Sequence, residues 1–278
     1  MIANYFPDTE FNYFCGMIIT DTHTHIYSEA FEEDQDQMMD RAITNGVIRF
    51  FVPAIDSSYT NAMYDIESRY PEHVFLMMGL HPTHVKENFR QELAHVEEEL
   101  GERLGQNSDK KFYAVGEIGI DLYWDKTFLK EQQEAFRHQI RLAKKYKLPI
   151  VIHCRDAFEE IFEVLESEKD DNLFGIFHCF TGTIEDAHRA IGYQMKLGIG
   201  GVVTFKNGKI DTFLNQIPLQ DIVLETDAPY LAPTPYRGKR NESSYLINVL
   251  NKLSEIYQKP VEEIAAITTQ NSKDIFGV

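Results

Sequence analysis

Pro149-Ile150-Val151-Ile152-His153-Cys154 and, one unit later, Phe174-Gly175-Ile176-Phe177-His178-Cys179 share one form, an apolar run closed by a histidine. Short runs of this kind are expected of strands buried on both faces. The pattern continues outward in both directions: residues 17–21, 47–52, 74–79, 112–117, 195–200 and 222–225 complete eight candidate strands. Charged stretches of helical spacing separate them. The clearest is 128–146, where Leu129, Phe136, Ile140 and Ala143 make an apolar stripe among Lys, Arg, Glu and Gln. Strands alternating with helices point to parallel βα units, either in a closed barrel or in a doubly wound sheet.

The residues at the strand ends decide between these two. His25, Pro53, His81, Glu117, His153, His178, Val203 and Asp227 follow or close successive strands, roughly one βα unit apart. An open sheet concentrates its chemistry at one switch point, whereas a barrel draws it from the ends of many strands. Chemistry-bearing residues here belong to strands one, three, four, five, six and eight, which favours an α/β (β/α)8 TIM barrel. The 278 residues suit a single such domain, since barrels of about 250 residues are common. Residues 1–16 precede the first strand and read as an N-terminal extension, with the barrel domain running from 17 to 278.

Hydrophobic residues make up 43% of the chain, enough for a large core and against disorder. No run approaches the roughly 18 apolar residues of a membrane span, and the N-terminus does not read as a secretory signal. Three cysteines without a CxxC pair make neither a disulfide framework nor a cysteine zinc site, so a cytoplasmic location is expected. A net charge of −17 argues against a non-specific coat on DNA. It leaves open a pocket that reaches one or two phosphates, because metal ions can supply local positive charge.

The first strand ends in Asp21-Thr22-His23-Thr24-His25. Residues i and i+2 of an extended chain face the same side, so both imidazoles can address one metal. Alone, the pair also fits two polar loop residues. Glu117 sits among apolar neighbours in Val115-Gly116-Glu117-Ile118-Gly119, where a carboxylate is costly to bury unless paired or metal-bound. Its two oxygens suit a bridge between two ions. His153 and His178 close consecutive strands, and Asp227 follows the last strand, which a closed barrel sets beside the first. If strand alternation holds, Cys154 and Cys179 face away from the metals and act as small apolar residues. Four histidines and two carboxylates suffice for two divalent ions with positions open to water and substrate.

Taken in order, the motifs DTHTH (21–25), GLHP (79–82), GEIGID (116–121), IHCRDA (152–157), HCFTG (178–182), ETDAPYL (225–231) and RGKRNE (237–242) resemble the TatD-like metal-dependent hydrolases of the amidohydrolase superfamily, from about residue 18 to 275. The resemblance implies a (β/α)8 barrel with His23, His25, Glu117, His153, His178 and Asp227 as ligands. It also implies deoxyribonuclease activity with magnesium, manganese or zinc. Glu117 stands where many amidohydrolases carry a carbamylated lysine. Some TatD members lack the first HxH pair; this chain keeps it, so both metal positions should be fillable. One departure is Ser243, where the family usually has proline after Asn-Glu.

Lys206 and Lys209 follow strand seven, and Arg237, Lys239 and Arg240 follow strand eight, a local basic concentration on an acidic chain that suggests phosphate capture. Arg155 is a further phosphate candidate. His81 reads as a substrate-binding or supporting group, and Tyr230 and Trp124 as rings able to stack on a base. The expected chemistry is hydrolysis by metal-activated water, with Asp227 taking or orienting its proton. DNA or another phosphodiester is the expected partner, and no obligate protein partner is evident. Rival readings are an amide, lactone or phosphotriester hydrolase, an aminoacyl-tRNA deacylase, or a non-catalytic interaction protein on the same barrel.

Overall fold

The computed structural model describes residues 16–105 and 110–278, so the reading of residues 1–15 as an extension lies outside the described residues. Eight strands form one sheet in sequence order. They are β1 (Ile19–Asp21), β2 (Val47–Pro53), β3 (Val74–Met78), β4 (Ala114–Asp121), β5 (Ile150–Arg155), β6 (Gly175–Phe177), β7 (Met195–Ile199) and β8 (Ile222–Leu224). Each pairs in parallel with the next. The ring closes just past the strands, where the Thr22 amide donates to the Leu224 carbonyl at 2.9 Å and the Asp227 amide to the His23 carbonyl at 2.9 Å. Closure sets Asp227 beside the HxH pair, as the barrel reading requires.

Helices α1 (Gln35–Thr44), α2 (Thr60–Arg69), α3 (Phe89–Arg103), α4 (Leu129–Tyr146), α5 (Phe158–Ser167) and α6 (Ile184–Gly192) follow the first six strands in turn. The segment from β7 to β8 has only short 3-10 turns, such as Gly201–Thr204 and Leu219–Asp221. Two helices, α7 (Leu246–Tyr257) and α8 (Val261–Phe276), then follow β8, and α8 packs against β1 and β8. The shell core between helices and sheet is continuous. A separate cluster fills the barrel: Phe51, Met77, Ala114, Val151, Ile176 and Val223, onto which Ile275 and Phe276 fold from the end of α8. Phe276 stacks on Phe51 with ring centroids 3.7 Å apart. That plug leaves the opposite mouth, at the C-terminal ends of the strands, for chemistry.

Two strand boundaries differ from expectation in a way that matters. β4 runs on to Asp121, so Glu117 lies inside the strand and not at its end. The register with β5 shifts between Gly116 and Ile118, on either side of Glu117. β5 likewise continues to Arg155. Gly119 adopts φ +146°, and a Cβ there would lie 2.0 Å from the His153 carbonyl oxygen, so this close pairing of the two strands requires glycine.

Candidate metal centre

The C-terminal halves of the strands and the turns after them bring six predicted donors to one place. His23 Nε2 lies 3.1 Å from Glu117 Oε2 and 3.3 Å from His25 Nε2. Asp227 Oδ1 is 3.5 Å from His25 Nε2 and 3.9 Å from His23 Nε2. Four donors at the corners of a tetrahedron around an ion with bonds of about 2.1 Å would be separated by about 3.4 Å. The donor spacing here brackets that value. On the other side of the same carboxylate, Glu117 Oε1 lies 2.8 Å from His153 Nδ1 and 3.7 Å from His178 Nε2. Glu117 therefore turns one oxygen to each of two donor groups.

The outward nitrogens show which lone pairs remain free. Tyr27 donates its hydroxyl proton to the Pro53 carbonyl at 2.9 Å, so its oxygen accepts from His25 Nδ1 at 2.9 Å. His25 Nε2 is then unprotonated and faces the centre. Asp121 Oδ2 accepts from His153 Nε2 at 2.9 Å, which leaves the Nδ1 lone pair inward. Glu225 Oε1 sits 3.0 Å from His178 Nδ1, close but off the hydrogen-bond axis, and leaves Nε2 inward. A carboxylate behind a ligating histidine fixes its tautomer and raises its basicity. Tyr27, Asp121 and Glu225 stand behind the donor histidines, and the sequence reading gave them no role. Asp121 and Glu225 stand inside quoted motifs, four residues after and two residues before a predicted ligand, and that proximity was the only available signal.

Protonation agrees with a ligand set. Burial pushes the His23 imidazole down to about 3, with His178 adding to the effect, so its ring is neutral. Burial opposes ionisation of Glu117, yet His81, His23 and His178 outweigh it and hold the carboxyl well below its ordinary value. Burial also opposes charge on His178, but Glu225 and Glu117 push it up to about 10. That proton occupies the place a cation would take among these carboxylates. Buried His23 Nδ1 has no hydrogen-bond partner. Ionised carboxylates and converging imidazole nitrogens, with a proton on His178 standing among them as a cation would, fit a divalent metal.

His81 reaches the cluster from β3, with Nε2 3.3 Å from both Glu117 Oε1 and His153 Nδ1. Its Nδ1 accepts the Thr83 amide at 3.1 Å, and burial keeps the ring neutral, so Nε2 carries the hydrogen. A donor pointed into the site suits substrate better than metal. His25, Glu117, His153, His178 and Asp227 open into a cavity of about 560 Å³, lined also by Trp124, Arg155, Thr181, Tyr230 and His84. Cys154 and Cys179 line it too, against the expectation that they turn away. Cys179 has φ 44°, outside the extended range, so strand alternation no longer governs its direction.

The basic rim is less unified than its sequence spacing suggests. Lys206, Arg237, Lys239 and Arg240 do not line the cavity. Arg240 is committed to Asp34, with hydrogen bonds of 2.6 and 2.8 Å, and lies over the Phe31 ring. Arg237 lies over Phe205 at 3.5 Å, whereas Lys206 and Lys239 are exposed. Ser243, the departure from the family pattern, is buried and donates to Asp21 Oδ2 at 2.6 Å.

Fold and donor set together place the chain among metal-dependent hydrolases built on a (β/α)8 barrel. Residues 20–277 match the TatD related DNase family, and the chain belongs to that family. The metal-dependent hydrolase YabD of Bacillus subtilis (strain 168) is 38% identical over 263 residues, covering 94% of this chain and 100% of the relative. The crystal structure of YjjV, a TatD homolog from Escherichia coli K12, matches with a TM-score of 0.86 at 29% identity, over 94% of this chain and 98% of that one. A hydrolase TatD family protein from Entamoeba histolytica shares the fold, with a TM-score of 0.79 at 21% identity over 94% of this chain and 98% of that one. No helix among the described residues is long and apolar enough to cross a membrane.

Proposed function

We propose that this barrel hydrolyses phosphodiester bonds of DNA, using two divalent ions (magnesium, manganese or zinc) held by His23, His25, Glu117, His153, His178 and Asp227. The observation that carries the reading is the division of Glu117: Oε2 faces His23 and His25, while Oε1 faces His153 and His178. A shared carboxylate suits a pair of ions about 3.5–4 Å apart. When bound, such ions neutralise phosphate charge and lower the pKa of the attacking water.

The chain's own residues do the rest. Burial works against charge on Asp227, but the rings of His25, His178 and His23 hold its carboxyl below the ordinary value. It is thus an ionised base at the edge of the cavity, placed to take the proton of the attacking water. His81 Nε2–H and the Arg155 guanidinium offer donors to phosphate oxygens from the β3 and β5 sides. Two free thiols in the site wall, Cys154 and Cys179, fit a reducing compartment such as the cytoplasm.

The test is metal-reconstituted protein assayed on single-stranded DNA, duplex DNA, bis-p-nitrophenyl phosphate and a dipeptide amide. Cleavage of phosphodiesters but not of the amide is expected. Glu117→Ala should lose metal and slow turnover by about a thousandfold or more, since metal-ion stabilisation is worth several kcal/mol. Amide turnover alone, or an active Glu117→Ala variant with full metal content, would sink the reading.

A further inference from the structure

One histidine at the mouth of the barrel stands outside the donor cluster. His84 ends the short turn Pro82–His84 after β3 and lines the cavity that holds Glu117 and Asp227, with 41% of its side chain exposed. Its Nε2 lies 3.7 Å from Asp56 Oδ2, close enough for a charge pair but too far for a hydrogen bond. A proton on that nitrogen is therefore free to be given to a third group. Asp56 itself is fixed by its own turn after β2, where Oδ1 accepts from the Ser58 amide at 2.9 Å and the Ser58 hydroxyl at 2.5 Å. Only its second oxygen is turned to His84.

The threonine between the two histidines of this turn sets which nitrogen takes up the proton. Thr83 Oγ1 lies 2.7 Å from His81 Nδ1 and 3.1 Å from His84 Nδ1. His81 Nδ1 accepts the Thr83 amide and carries no hydrogen, so the hydroxyl donates to it. The hydroxyl oxygen then accepts from His84 Nδ1–H, and a proton gained by His84 sits on Nε2, beside Asp56. Asp56 from the turn after β2 and His81 within the same turn are the titratable groups that meet this ring. Glu117 and Asp121 from β4, on which the turn packs, and Arg155 from β5 line the same cavity.

We propose that His84, paired with Asp56, is the general acid that protonates the leaving oxygen of the scissile phosphodiester. This rests on the phosphodiesterase reading and deepens it. In-line displacement at phosphorus puts the attacking and leaving oxygens on opposite sides. Asp227, the base for the attacking water, follows β8, whereas His84 follows β3. Around the closed ring β1 and β2 separate them one way and β4 to β7 the other, so they approach a phosphate in the cavity from different sides. The water oxygen bonds to phosphorus as its proton passes to Asp227. The bond from phosphorus to the leaving sugar oxygen breaks, and that oxygen takes the Nε2 proton of the His84 imidazolium. His84 ends neutral, and its exposed ring regains a proton from solvent. A sugar alkoxide is a far poorer leaving group than a nitrophenolate, so it gains most from this proton.

The test uses metal-loaded protein and oligonucleotides of one sequence that differ only in the bridging atom: oxygen throughout, sulfur on the 3′ side of each phosphate, or sulfur on the 5′ side. A thiolate leaves without a proton. His84→Ala should lower kcat on the oxygen substrate about a hundredfold, with KM little changed. On the substrate whose sulfur is the leaving atom, most of that loss should disappear. His84→Arg, which keeps a cation but has no proton to give at neutral pH, should be as impaired on oxygen as the alanine variant. Equal losses on oxygen and on both sulfur substrates, recovery of turnover in His84→Arg, or full turnover of the oxygen substrate by His84→Ala overturns the proposal and leaves the phosphodiesterase reading in place. Failure of the unaltered protein to turn over any of these substrates or bis-p-nitrophenyl phosphate overturns both.

Discussion

Asp121 holds His153 by its outward nitrogen at 2.9 Å and, with its other oxygen, fastens the backbone of the loop that carries Trp124. Burial opposes charge on this carboxylate, but the hydrogen bond from His153 and the amides of Trp124 and Tyr123 keep it below its ordinary pKa. One ionised group thus sets the tautomer of an imidazole in the donor cluster and the position of the aromatic loop.

Asp121→Asn separates these roles. The amide oxygen can still accept from Tyr123 and Trp124, but an amide NH₂ facing His153 Nε2 favours the tautomer that protonates Nδ1. Metal affinity should fall by about 10- to 100-fold, as expected on losing a carboxylate behind a ligating histidine. Competition with a fluorescent chelator measures it. Undiminished affinity would refute the tautomer argument.

Asp21 is buried beneath the HxH pair and accepts from the Thr226 amide at 3.0 Å, the Thr226 hydroxyl at 2.6 Å and Ser243 Oγ at 2.6 Å. Burial pushes its carboxyl up to about 7 despite these bonds. Between the unfolded value near about 4 and this folded value, the folded chain keeps a proton that the unfolded chain releases. The associated stability is complete at low pH and is lost as pH rises through the folded value. Urea midpoints should therefore decline from pH 5 to pH 8, and Asp21→Asn should flatten that decline. An identical slope in both proteins would show that Asp21 does not carry it.

Asp34 gives the opposite sign. Hydrogen bonds from Arg240, opposed by burial and aided by Arg41, hold its carboxyl at about 2. The stability from this pairing is present above the unfolded value and lost as pH falls from about 4 toward the folded value. Arg240→Ala should lower stability at neutral pH by up to about 1 kcal/mol, given the partial exposure of the pair. It should also shrink the loss on acidification, with little change in DNA affinity. A drop in DNA affinity at unchanged stability would assign Arg240 to substrate instead.

The candidate donors that the structure brings together were legible because their signals are local. His153 and His178 each close an apolar run, His23 and His25 share a strand face by their spacing, and Asp227 follows the last run. Period and strand-end position are properties of a few consecutive residues, and eight such units in one order specify a parallel barrel. The segment between β7 and β8 was less legible: its apolar residues pack as 3-10 turns, while α7 and α8 are placed after β8.

What the sequence determined by itself was the order of strands, the closure of the sheet and the set of candidate metal donors, all encoded in local pattern. Tertiary structure alone decided that Glu117 turns its two oxygens to different histidines, since those histidines come from four segments that only the closed sheet brings around it. It also decided that Asp121, Glu225 and Tyr27 stand behind those histidines, and that Arg240 is bound to Asp34 while Arg155 faces the cavity. Partners such as Asp21 and Ser243 are 222 residues apart. Their meeting follows from the curvature of the closed sheet and the packing of side chains on it, and no short-range pattern carries that information.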